Sequence, residues 1–164
     1  MHAQTAVSQA GALSWIAATV SAQTAGFEAG RSAYVLSCGG CHGLEGVSNS
    51  RLVPDLKDQV GFFLNLPEGR AYVARLPNVA FSQNTDEALT GMLNYVVFSL
   101  GGASVPKGSR PYSVREVAQL RRHPLTEVNL TEMRRRMVGI LIGQYNASAG
   151  LRLYGEADYG DSTE

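Results

Sequence analysis

The chain has 164 residues, of which 45 % are apolar, 8 % aromatic and 17 % charged, and its 14 basic and 14 acidic side chains give a formal net charge of zero. That length suits one ordinary domain with extensions, and that composition excludes a chain too polar to build a core. Balanced charge gives no global attraction to nucleic acid, and no run of about twenty apolar residues offers a membrane span.

In chain order, the first 25 residues contain AVSQAGALSWIAATVSAQTA, a small, weakly apolar, uncharged stretch. Val20-Ser21-Ala22 fits a small-residue cleavage site, although a positive n-region is missing. Residues 1–25 therefore read as a secretory signal peptide or as a flexible arm, and the signal reading puts the protein in the periplasm. From Gly26, the spacing of Phe27, Gly30 and Tyr34 predicts a helix running into Cys38, broken by Gly39-Gly40. Gly46, Ser48, Asn49, Ser50 and Pro54 punctuate a loop. GFFLNL (61–66) and PEGRAYVARL (67–76) predict two short helices, with Pro67 first in the second. RLPNVAFSQNTDE (75–87) contains a loop. TDEALTGMLNYVVFSLGG predicts the clearest helix, capped by Thr85 with Asp86 and Glu87 in its first turn. Leu89, Met92, Leu93, Val96 and Leu100 form its apolar stripe, and Gly101-Gly102 end it. After a linker, Ser113 with Glu116 opens a short helix to about Arg122, stopped by Pro124. Asn129 with Glu132 opens another, carrying Met133, Met137, Ile140 and Leu141. Residues 147–164 read as a disordered tail. No strand, internal repeat or phosphate-binding loop of the Walker or Rossmann type is evident.

Charge is unevenly spread. From Gly26 to Gly101 there are five Lys/Arg against seven Asp/Glu, from Gly102 to Asn146 eight against three, and from Ala147 onward one against four. The basic stretch Arg115 to Arg136 reads as either a solvated helical face or a docking surface for an acidic partner.

Both cysteines fall in one motif, C-x-x-C-H, formed by Cys38, Cys41 and His42. A structural zinc site needs four ligands, and the adjacent Cys41 and His42 rarely serve one tetrahedral ion. Beyond the motif only His123 and His2 remain, with no second C-x-x-C. A thioredoxin-like motif belongs at a helix start after a strand, whereas this one follows a helix. Covalent haem is the remaining reading: two thiols add across the two vinyl groups, and the adjacent histidine lies under the iron.

The stretch AGRSAYVLSCGGCHGLEG resembles the N-terminal helix and haem-attachment turn of class I c-type cytochromes, and TDEALTGMLNYVVFSL resembles their C-terminal helix. The resemblance covers residues 26–102 and implies an all-α, cytochrome c-like fold around one covalent haem c, with 103–146 as a short, basic helical appendage. It implies a crossing of the two helices, with Phe27 and Gly30 on one side and Met92 and Tyr95 on the other. It implies thioethers at Cys38 and Cys41, His42 as proximal iron ligand, and Pro54 of VPDL as the carbonyl that accepts the Nδ1–H of His42. Leu56 and Leu76 belong to the implied haem pocket.

The family places a methionine ligand in the loop before the last helix. Here Leu76-Pro77 stands in its place, and 43–91 contains neither Met nor His. Met92 is the candidate nearest in sequence, followed by Met133, Met137, His123 and Lys57; the alternative is an open iron beside Leu76, Val79 and Phe81. The resemblance implies a periplasmic carrier of single electrons. Its partners would be a periplasmic dehydrogenase, another cytochrome or an oxidase, with no nucleic acid and no transmembrane segment. An open distal site would instead bind small ligands or act as a weak peroxidase.

Overall fold

The computed structural model describes residues 26–50 and 52–152; the signal-or-arm segment 1–25 and the last part of the expected tail lie outside them. Among the described residues there is no strand, and the chain is all-α. Helix α1 occupies 26–37, and a further turn, α2 (Gly39–His42), follows Cys38. Gly39-Gly40 do not break the helical path: Cys38 O accepts from the N–H groups of Cys41 at 3.1 Å and His42 at 2.9 Å. The break falls at Gly43, where φ is 76° and a Cβ would collide with Val47 O, so only glycine fits without strain.

A loop then leads to a 3-10 segment (Val60–Asn65), α3 (Gly69–Arg75) and α4 (Pro77–Ala80). Pro67 lies ahead of α3 rather than inside it. The proline that opens a helix is Pro77, whose missing N–H and fixed φ suit a first turn, so part of the expected loop is helical. Helix α5 (Asp86–Asn94) starts at Thr85, whose hydroxyl accepts the Ala88 N–H at 3.2 Å. Beyond it the ladder widens into a π-helical turn (Tyr95–Leu100), closed by the Gly101 N–H on Val96 O at 3.0 Å. The wider turn takes Tyr95, Val96, Val97 and Leu100 all inward. Ser113 caps α6 (Val114–Leu120) through the Glu116 N–H, and Asn129 caps α7 (Leu130–Tyr145) through the Glu132 N–H.

Helix α1 crosses α5 at its closest where Gly30 meets Gly91. A Cβ on Gly30 would lie 2.7 Å from the Gly91 carbonyl carbon, so the close approach of the backbones requires glycine at position 30. The rings of Phe27 and Tyr95 meet edge-on beside the crossing, centroids 5.4 Å apart. Helix α6 packs on α3 and α5, and α7 on Val60–Asn65. Val117, Met137, Val138 and Leu141 of this extension are buried in the same apolar cluster as Tyr34, Leu89 and Leu93.

Polar latches fasten the extension. Arg70 donates to Glu116 through Nε at 2.6 Å and Nη2 at 3.0 Å, and through Nη1 to Arg110 O at 2.7 Å. Its guanidinium also stacks 3.9 Å from the Tyr112 ring centroid. The Tyr112 N–H donates to Asn94 Oδ1 at 2.7 Å, and Asn94 Nδ2 returns a bond to Tyr112 O at 3.0 Å. The packed chain also runs further than composition suggests. Ala149–Arg152 forms a 3-10 turn with Leu151 buried, and Arg134 donates to Leu151 O at 3.0 Å. Ordered packing therefore extends six residues into the expected tail, because Leu151 has an apolar side chain to bury. Among the described residues, no helix is long and apolar enough to cross a membrane.

Candidate haem site

Helix α2 ends on His42, and the loop that follows folds back over it. Gly46 O accepts the N–H groups of Leu56 at 2.8 Å and Lys57 at 3.0 Å, while Asp55 Oδ1 accepts the Ser48 N–H at 2.7 Å. This closure brings Pro54 O to 2.9 Å from His42 Nδ1. A carbonyl can only accept, so Nδ1 carries the proton and Nε2 of the neutral ring keeps its lone pair for an electrophile.

Cys38 is half-buried, Cys41 is exposed, and both are free thiols. Burial, and then the neighbouring Cys41, push the Cys38 thiol up, so it stays neutral at physiological pH. Its sulfur lies 3.8 Å from Met92 Sδ, and Met92 itself is only 2 % exposed. Beside Cys41 opens a cleft of about 530 Å³ lined by Gly39, Gly40, Leu44, Asn49, Ser50 and Val53. Leu44, Val47 and Leu52 of the loop present apolar side chains at the surface.

This donor set fits a haem c: two unpaired thiols three positions apart, an imidazole with one nitrogen tied and the other free, and an apolar rim. Among the described residues, no three His, Cys, Asp or Glu side chains converge as a cage for a lone metal ion. Of the candidate iron ligands beyond His42, Met92 touches the motif, through Cys38. Met133 and Met137 lie on α7, with Met137 fully enclosed. His123 is in an exposed turn, its carbonyl accepting from Arg75 Nε at 2.5 Å, and Lys57 is exposed. Leu56 and Leu76 are half-buried against the core, Leu76 joining α3 to α4; Val79 is half-buried and Phe81 is exposed.

The structure gives Tyr34 and Asn84 contacts at the site. The Tyr34 hydroxyl donates to Gly43 O at 2.5 Å, tying α1 to the turn after His42. Burial, and then Cys38, push that hydroxyl up to about 12, which keeps it a donor. Tyr34 stands four residues before Cys38, one helical turn away, and that spacing is the signal that could have marked it. Asn84 Nδ2 donates to Ser37 Oγ at 3.1 Å, so the loop ahead of α5 touches the residue next to Cys38. No local pattern announces that contact. The chain matches no protein-family model, no curated protein and no solved structure.

Proposed function

We propose that the chain is a mono-haem c-type cytochrome of cytochrome c-like fold that carries single electrons in the periplasm. The observation that carries this reading is the 2.9 Å contact between His42 Nδ1 and Pro54 O. A histidine placed next to C-x-x-C, with one nitrogen committed to a backbone carbonyl, is oriented and made more basic as a metal ligand. Cys38 and Cys41 would hold the group through thioethers and His42 would hold its iron. The bound haem supplies an iron that gains and loses one electron. The chain's part is to keep coordination fixed: Tyr34 ties α1 to Gly43, and the Gly46 carbonyl keeps Pro54 over the imidazole.

A periplasmic dehydrogenase would donate the electron, and another cytochrome or an oxidase would accept it, across a small charge-steered surface. Arg121 and Arg134 make internal hydrogen bonds. The basic surface offered to an acidic partner therefore comes from the exposed Arg110, Arg115, Arg122, Arg135 and Arg136.

The second reading, a site that binds small ligands or has weak peroxidase activity, is favoured by the position of Met92. Its sulfur is in the helix crossing against Cys38, as a packing methionine would be. The visible spectrum of the dithionite-reduced protein, with and without CO, separates the two. Sharp low-spin bands that CO leaves unchanged support the carrier. A high-spin ferrous haem that takes up CO at once moves the function to ligand binding.

A further inference from the structure

We propose that Arg121, in the extension, is a positioning residue of the haem site: it locks the 80–86 loop against the attachment turn and so sets how fast external ligands reach the iron. The inference rests on the haem reading above.

Arg121 follows the last residue of α6, and its guanidinium is turned inward. Nε donates to Ala80 O at 3.1 Å, Nη2 to Ser82 O at 2.6 Å, and Nη1 to both Asn84 O at 2.9 Å and Asp86 Oδ1 at 3.0 Å. One side chain thus satisfies three carbonyls and a carboxylate along seven consecutive residues. Only a planar fork of five donors can do this; a lysine ammonium offers three from a single point. The neighbouring turn is also pinned, with the Leu125 N–H on Arg75 O at 2.9 Å and Arg75 Nε on His123 O.

The clamped loop reaches the motif directly. Asn84, whose carbonyl Arg121 holds, donates its side-chain amide to Ser37 Oγ, and Ser37 precedes Cys38. Thr85 then caps α5, which carries Met92 against the Cys38 sulfur. A continuous path of contacts therefore runs from Arg121 through Asn84 and Ser37 to the thioether position. The other ties of the 80–86 backbone are local: the Ala80, Phe81 and Ser82 N–H groups donate to Leu76 O, Pro77 O and Val79 O, Thr85 O accepts the Leu89 N–H, Asp86 O accepts the Thr90 hydroxyl, and the Gln83 side chain reaches back to Phe81 O. Removing the guanidinium frees three carbonyls at once and lets the loop open.

The test uses full-length protein matured with haem, as wild type, Arg121→Ala, Arg121→Lys and Arg70→Ala. Arg70→Ala removes the other latch of the extension and leaves the 80–86 loop untouched. The readouts are the rate at which ferric haem binds added imidazole, followed at the Soret band, and the thermal midpoint. Hydrogen bonds from a charged group shift an opening equilibrium by roughly tenfold or more, so Arg121→Ala should bind imidazole at least about tenfold faster. Arg121→Lys should fall between it and wild type. Arg70→Ala should lower the midpoint with an imidazole rate within about twofold of wild type. Equal rates in wild type and Arg121→Ala, or equal acceleration in Arg70→Ala, would overturn the proposal and leave the haem reading standing. A wild-type protein with no covalent haem would overturn both.

Discussion

One backbone carbonyl, that of Pro54, holds the His42 ring at Nδ1, and a ring held this way would make a metal ligand of fixed orientation. Replacing Cys38 or Cys41 by Ala should allow at most one thioether and lower the fraction of protein that keeps its haem through denaturation. His42→Ala should keep covalent haem but lose the low-spin spectrum, and optical spectra before and after denaturation read both. Gly30 carries the packing burden. Gly30→Ala must push α1 away from Gly91 and should cost about 1–3 kcal/mol, measured as a lower denaturation midpoint. At this scale the pairing of His42 with the Pro54 carbonyl was readable through resemblance. Phe27 facing Tyr95 was readable in the same way, whereas Gly30 meets Gly91 and Met92 lies against Cys38. Gly91 and the Asn84–Ser37 contact were not readable, since each depends on which backbone the fold brings opposite.

Helix starts were easy to read because capping is local. Thr85, Ser113 and Asn129 each accept the N–H three residues on. Ser113→Ala should therefore destabilise the protein by about 1 kcal/mol in chemical denaturation. The π-helical turn, the α4 turn at Pro77 and the continuation through Gly39-Gly40 were not legible. They are imposed by burial of Tyr95 to Leu100 and by the docking of one element on another. The latch between α3 and α6 adds a pH dependence. Hydrogen bonding to Arg70 holds the Glu116 carboxyl below its ordinary value of 4.5, against a smaller opposing effect of burial. A lowered folded-state value means the stabilisation is complete above that ordinary value and is lost as pH falls through the folded one. Wild type should be more stable than Glu116→Gln at neutral pH, and the gap should close on acidification below the usual carboxylate range, as followed by thermal unfolding.

For the molecule as a whole, the extension is part of the core. A basic appendage to a finished domain could be removed without harm, but Val117, Met137, Val138 and Leu141 are all at most 2 % exposed. Burying such side chains is worth about 1.5–3 kcal/mol each, so together they rival the net stability of an ordinary domain. A chain ended after Arg110 should show no cooperative thermal transition by circular dichroism; a sharp melt near the full-length midpoint would refute this. Composition marked the extension as a unit of charge and could not mark it as a unit of packing, because inward-facing arginines such as Arg121 and Arg134 look like surface residues in a sequence. The proposed function requires covalent haem at Cys38 and Cys41. It is tested most directly by producing the protein in cells competent for cytochrome c maturation, denaturing it, extracting with acidified organic solvent, and recording the pyridine haemochrome of the protein fraction. One haem per chain should stay with the protein. Haem that partitions into the solvent, or a colourless protein, would contradict it.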